Sequence, residues 1–195
     1  MDKPAPTDHP IGDLVRDRWS PRAFADRGIE EDALSSLLEA ARWSPSSRNS
    51  QPWRFLVARR EDEGEFQRML ACLAPGNQRW ARNAAVLMVA VALESDHKGR
   101  PLTHGIYDTG QAVAWLSVEA TARGIRVHQM GGFDPEAVRA SYGVPDDAQP
   151  IAAIALGYPG NPDDLEDDLR AQELAPRERR PIGELAFARA WGTAR

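Results

Sequence analysis

Residues 40–55 read AARWSPSSRNSQPWRF, and the change of character inside that stretch decides how the surrounding chain folds. Upstream, Leu34, Leu37, Leu38 and Ala41 recur at i, i+3, i+4 and i+7, the apolar stripe of a helix. Pro45 biases Ser44 away from helical geometry, which predicts that the helix stops near Trp43. Ser46, Ser47, Arg48, Asn49, Ser50 and Gln51 then offer hydroxyls, amides and a guanidinium, with nothing apolar to bury. After Pro52, Phe55 and Val57 alternate with Arg54 and Ala58, as in a strand. The order helix, polar loop, strand follows, and the loop has the composition to hold a polar ligand. On its residues alone it is equally an ordinary surface loop, because Ser, Asn and Pro are common turn formers.

Working outward, the elements alternate without repeats. Ile11, Leu14 and Val15 suggest a short helix up to Arg18, and Phe66, Met69, Leu70 and Leu73 mark another. Residues 84–93, AAVLMVAVAL, are apolar throughout, and their length and three valines fit a central strand buried on both faces. Residues 106–123 read as a long helix with Ala112, Val113, Leu116 and Ala120 on one face and Gly124 at its stop. Short strands are expected at 125–130 and 151–156, separated by a helix starting near Pro135. The chain is a mixed α and β protein with one central sheet.

At 195 residues the chain suits one compact domain. A net charge of −5 and a pI near 5.4 argue against general nucleic-acid binding, because a surface that tracks phosphates is normally basic. Cys72 is the only cysteine, so there is no internal disulfide and no cysteine-rich zinc site. His9, His97, His104 and His128 are scattered without metal-ligand spacing, and no metal site is expected. The longest apolar run is too short to span a bilayer, and a soluble cytoplasmic protein without a membrane partner is the simplest expectation.

Two further motifs accompany the serine-rich loop. RWSPRAF (18–24) places two guanidiniums and a hydroxyl within seven residues, a group able to bracket a phosphate, or else a solvated face. HQMGGFD (128–134) puts Gly131 and Gly132 directly after a predicted strand, where missing side chains let a flat ligand approach backbone N–H groups, or where the chain simply turns. Beyond Gly157 the character changes again. Residues 161–168 are acidic, and PRERRP (176–181) is basic and precedes IGELAFARAW. Such a segment is too poor in apolar residues to pack as its own domain, and is either disordered or laid across another surface. Ile182, Leu185, Phe187 and Trp191 nevertheless need burial, for which a partner subunit is the simplest place.

Together these pieces resemble the FMN-dependent nitroreductase family. RWSPRAF, WSPSSRNSQPWRF, NQRWARNAAVLMV, HQMGGFD, ALGYP and RERRP occur in the family's order over nearly the whole chain. The resemblance implies an α+β fold, with a central, mostly antiparallel sheet flanked by helices and a C-terminal tail exchanged across a homodimer. Residues 1–160 would form the FMN-binding core, and 161–195 an extension of the same domain wrapping the partner. Arg18, Ser20 and Arg22 would hold the phosphate, ribityl chain and pyrimidine edge of FMN, with Trp19 contributing its backbone. Pro45, Ser46, Ser47 and Asn49 would reach the flavin of the other subunit, so that FMN sits at the dimer interface. Asn77 matches the family's asparagine at the flavin's polar edge, Gly131 and Gly132 its backbone donors near N5 and O4, and Arg177 and Arg179 its basic phosphate ligands.

The resemblance further implies that hydride passes from NADH or NADPH to flavin N5 and on to an organic acceptor such as a nitroaromatic or quinone, with ping-pong kinetics and no dedicated catalytic side chain. The alternative is a flavin-binding or flavin-remodelling protein of the same fold without NAD(P)H-driven turnover. Trp80, Tyr107 and Trp115 are the candidate walls of the acceptor pocket. Trp80 is also a departure, because many relatives carry a lysine there that supports negative charge on the reduced flavin. Arg22 would carry that load alone, or Arg79 or Arg82 would swing in.

Overall fold

The computed structural model describes residues 2–195. Its centre is β2 (Val86–Leu93), the apolar run anticipated as a doubly buried strand. Because side chains alternate along a strand, Leu87, Val89 and Val91 point into one apolar cluster and Val86, Met88 and Ala90 into another. Each side therefore needs its own cover of helices, and the molecule has three layers.

β1 (Trp53–Arg59) and β4 (Ala148–Gly157) flank β2, and β3 (Arg126–Met130) pairs with β4. The order is β1-β2-β4-β3, with every neighbouring pair antiparallel. The register is continuous from Trp53 opposite Ala92 to Arg59 opposite Val86. On one face lie α2 (Glu31–Arg42) and α5 (Gly105–Ala122). Leu34, Leu37 and Ala41 of α2 meet Ala112, Val113 and Leu116 of α5 there, the stripes read from the sequence. On the other face α3 (Glu63–Ala71), α4 (Pro75–Ala81) and α6 (Pro135–Tyr142) bring Phe66, Met69, Trp80 and Val138 onto the sheet. α1 (Asp13–Asp17) buries no side chain and leaves Ile11, Leu14 and Val15 exposed.

The terminators act as their chemistry requires. α2 gives way at Trp43 before Pro45, Gly124 takes φ +71° after α5, and Gly143 takes φ +64° after α6. Asp134 caps α6 by accepting from the N–H groups of Glu136 and Ala137.

The acidic segment departs from expectation. Residues 162–164 form a 3-10 turn and α7 (Asp167–Leu174) is a helix packed on its own subunit, with Leu169 and Glu173 buried. Arg79 clasps both Glu166 and Asp168. The extension thus stays with its own core as far as Arg177, whose guanidinium bonds carbonyls near the N-terminus. Apolar composition failed as a guide because one leucine, one carboxylate and these ion pairs suffice to seat a helix on a formed core. Beyond it, Ile182, Leu185 and Trp191 are largely exposed.

At the join of core and extension, a Cβ on Gly160 would lie 2.5 Å from the backbone carbon and 2.6 Å from the backbone oxygen of Phe24. The obstructing atoms are all backbone, so no flexible side chain can yield. Gly160→Ala should therefore lower stability by about 1–3 kcal/mol. Gly76→Ala, whose Cβ would meet nothing within 4 Å inside α4, should be neutral or stabilising. Urea unfolding of the two variants checks the contrast.

Candidate functional site

The segment carrying RWSPRAF runs irregularly between α1 and an isolated bridge pairing Phe24 with Pro159. Trp19 is buried under it, with the Lys3 ammonium 5.4 Å from its ring. Arg18 donates from Nη1 to Ser20 Oγ at 3.2 Å. Burial, and the guanidiniums of Arg177 and Arg179 beside it, hold Arg18 below the usual arginine range. Burial and Arg179 likewise lower Arg177, against an opposing pull from Asp17. Among the described residues, Arg18, Arg22, Arg177 and Arg179 form no ion pair with any carboxylate, whereas Arg59, Arg79 and Arg170 do. Gathered like charges without carboxylate partners make a ready site for an anion.

His128 joins this cluster to the glycine pair. Its Nδ1 lies 2.8 Å from the Pro21 carbonyl, so Nδ1 carries the proton and donates. Its ring sits 4.4 Å from that of Trp80, and the Arg22 guanidinium stands 6.0 Å from the centre of the Trp80 ring. Burial foremost, then Arg22 and Arg18, pull the imidazole down to about 4, although the bond to Pro21 opposes them. The ring is neutral at pH 7.

Three residues on, Gly131 faces open space, while a Cβ on Gly132 would lie 2.7 Å from Asn77 Nδ2. The close approach is a bond: Asn77 Nδ2 donates to the Gly132 carbonyl at 2.8 Å, and Ala74 N donates to the same oxygen at 3.0 Å. Among the described backbone hydrogen bonds, the N–H groups of Gly131 and Gly132 donate to none. Arg18, Trp19, Ser20, Arg22, Asn77, Gly131, Gly132, Arg177 and Arg179 thus fall in one neighbourhood.

The serine-rich loop forms a second group. Pro45, Ser47 and Asn49 are exposed and Ser46 is half-buried. Arg48, Asn49 and Gln51 all take left-handed backbone, with φ of 54°, 56° and 49°. Three non-glycine residues in that region cost about 1–3 kcal/mol each and persist only when held. Asp108 of α5, buried, accepts from Ser47 N at 3.0 Å, and Ser46 Oγ accepts from Gln51 N at 3.1 Å. Beside this turn lies a cleft of about 580 Å³, with Arg48, Asn49, Arg100, His104 and Asp108 among its walls. No hydrogen bond or ion pair among the described residues connects the two groups.

Several expectations need correction. Trp80 is 1% exposed, packed between Phe24 and His128, so it is a core residue backing Arg22 and not a pocket wall. Arg79 is held by Glu166 and Asp168 and is not free to replace a missing lysine. Arg177 spends its fork on three backbone carbonyls instead of facing outward. Tyr107 and Trp115 lie exposed on α5, and Tyr107 directly precedes Asp108, which holds the strained turn. Asp108 and Glu173 escaped notice, although each is a carboxylate on the buried stripe of its helix, which was a legible signal.

The nitroreductase family profile matches residues 15–158. This chain belongs to the nitroreductase family. It is 35% identical over 147 residues to an uncharacterized 15.4 kDa protein of Mycolicibacterium smegmatis, covering 71% of this chain and 97% of that one. An NADH dehydrogenase of Thermus thermophilus is 29% identical over 203 residues, covering 88% of this chain and 92% of that one. Among solved structures, an oxidoreductase containing FMN superposes with a TM-score of 0.90 at 33% identity, with 95% of each chain covered. The nitroreductase fold and its antiparallel sheet are as the motifs implied.

The lowered His128 pKa has a definite consequence for stability. The unfolded chain takes up the proton near pH 6.5 and the folded chain only near 4. His128 therefore favours the fold fully above pH 6.5, and this contribution is lost as pH falls from 6.5 through 4. In His128→Gln, the loss of stability between pH 7 and 4.5, measured by urea unfolding, should be smaller than in the parent. An unchanged difference would remove His128 from this role.

Proposed function

We propose that this protein is a cytoplasmic NAD(P)H-dependent FMN oxidoreductase that works as a homodimer. The observation that carries the proposal is the convergence of Arg18, Arg22 and Arg179 beside Ser20 with no carboxylate pairing, next to two unengaged glycine N–H groups. That donor set fits a ligand with a dianionic phosphate at one end and a flat acceptor-rich ring at the other. The similarity to an FMN-containing oxidoreductase at 33% identity supports FMN as that ligand.

FMN, when bound, supplies a two-electron relay that takes hydride at N5 from NADH or NADPH and returns it, in ping-pong order, to an organic acceptor such as a nitroaromatic or quinone. The chain's own residues bind and orient. Arg18 and Arg179 take the phosphate, with Ser20 and the backbone at Trp19 beside them, and Arg22, braced by Trp80, meets the pyrimidine edge. Gly131 and Gly132 aim N–H groups at the ring, with Asn77 fixing the turn. Among the described residues, no hydrogen bond or ion pair joins Pro45, Ser46, Ser47 and Asn49 to this cluster in one chain, which supports completion of each site by the loop of a second subunit. Exposed Ile106, Tyr107 and Trp115 on α5, and Ile182, Leu185 and Trp191 beyond α7, supply apolar surface for that dimer. Tyr107 and Trp115 remain the aromatic candidates for contact with a small-molecule acceptor.

The test is the absorbance spectrum of the purified protein, with heat release and identification of any yellow chromophore. Released FMN that NADH or NADPH bleaches within seconds supports the enzyme, and bound FMN without bleaching leaves a flavin-binding protein. A colourless protein that takes up no added FMN overturns both. Arg179→Ala should weaken FMN binding roughly 10- to 100-fold, the worth of one charge-assisted bond, while turnover of the flavin-loaded fraction changes little. Truncation after Arg180 should leave α7 seated yet yield a monomer on a sizing column, because it removes Ile182, Leu185 and Trp191.

A further inference from the structure

The segment that presents Arg18, Ser20 and Arg22 has no helix or strand of its own to satisfy its backbone. Its polar groups still need partners where they are buried. Two side chains four residues apart supply them. Glu173, on the last turn of α7, is 1% exposed, and its carboxylate accepts from Arg22 N at 2.8 Å and Ala23 N at 3.2 Å. Arg177 donates to the carbonyl oxygens of Arg16 at 3.0 Å, Arg18 at 2.9 Å and Lys3 at 2.7 Å. The carboxylate takes N–H groups at one end of the segment, and the guanidinium takes carbonyls at the other. Lys3 closes the arrangement by donating from its ammonium to the backbone oxygen of Glu173.

We infer that Glu173 and Arg177 are positioning residues, a two-pronged clamp that substitutes for secondary structure and sets Arg18, Ser20 and Arg22 in their flavin-binding geometry. The chemistry suits the task. A carboxylate offers only acceptors and a guanidinium only donors, so neither can turn around to make the opposite bond. Arg177 and Arg179, two residues apart and alike in sequence, then have different work. Among the described residues, Arg179 donates only to its neighbour's carbonyl, from Nη1, and is exposed. It is the arginine left to meet phosphate, while Arg177 holds the frame. The clamp also helps to seat α7 on its own subunit, together with the pairing of Arg79 and Asp168.

The flavin part of this inference rests on the cofactor proposed above; the clamp itself does not, and the experiment separates them. Full-length parent, Glu173→Gln, Arg177→Lys and Arg179→Ala are titrated with FMN and with riboflavin, which lacks the phosphate. Amide hydrogen exchange at Arg22 and Ala23 is followed in each protein without added flavin. Glu173→Gln sets an NH₂ donor against one of the two amide donors. It should speed exchange at Arg22 or Ala23 and weaken both flavins by a similar factor, roughly tenfold. Arg177→Lys, which keeps the charge but loses the fork, should weaken both flavins together. Arg179→Ala should weaken FMN and leave riboflavin near the parent. Parent-like exchange and parent-like affinity for both flavins in Glu173→Gln would overturn the clamp. Loss of FMN affinity alone in Arg177→Lys would return Arg177 to the phosphate and overturn its positioning role. If no protein binds either flavin while exchange at Arg22 and Ala23 still rises, the clamp stands and the cofactor assignment falls. Should Glu173→Gln fail to fold, Arg177→Lys carries the same comparison.

Discussion

β2 has no face in contact with water, and the architecture follows from that constraint. Every residue from Val86 to Ala92 is buried. A strand of this kind loses its hydration on both sides, so stability requires an apolar layer above and below the sheet. α2 and α5 form one layer, while α3, α4 and α6 form the other. The candidate site is assembled at the margins of this sandwich, where the chain passes between layers and loops are held by rigid elements.

Holding the site is an electrostatic problem as much as a packing one. Burial, and then the mutual repulsion of Arg18, Arg177 and Arg179, holds Arg18 and Arg177 below the usual arginine range. Elsewhere the protein neutralises arginines with carboxylates, as Arg79 does with Glu166 and Asp168. In the cluster it uses the carboxylate differently: Glu173 is turned toward backbone N–H groups and leaves the guanidiniums their charge. Asp108 does the same for the strained turn at Ser47. Both buried acids of the chain therefore hold loops in place and leave the cations unneutralised, consistent with a site shaped for an anion that binds from outside.

Local chemistry made much of this legible. Pro45 ended α2, the apolar stripes located α2 and α5, and ten unbroken apolar residues revealed β2, because each signal acts within a few residues. α4 and α7 were not legible in the same way. α4 is a seven-residue helix whose buried anchors, Trp80 and Ala81, fall together at its end, and α7 is seated by Leu169, Glu173 and ion pairs from a distant helix. Trp80 was misplaced for a related reason: an aromatic beside polar residues resembles a pocket wall until Phe24 and His128 are seen to enclose it.

The sequence by itself determined the central strand, the long amphipathic helices and the family, since periodicity, turn chemistry and motif order are properties of neighbours along the chain. Tertiary structure alone decided which arginine faces outward and which is consumed by the backbone. Arg177 and Arg179 are equivalent on the page. Contacts to Lys3, Arg16 and Arg18, more than 150 positions away, distinguish them. A guanidinium has one fork, and the orientation of that fork depends on carbonyls that only folding brings within reach.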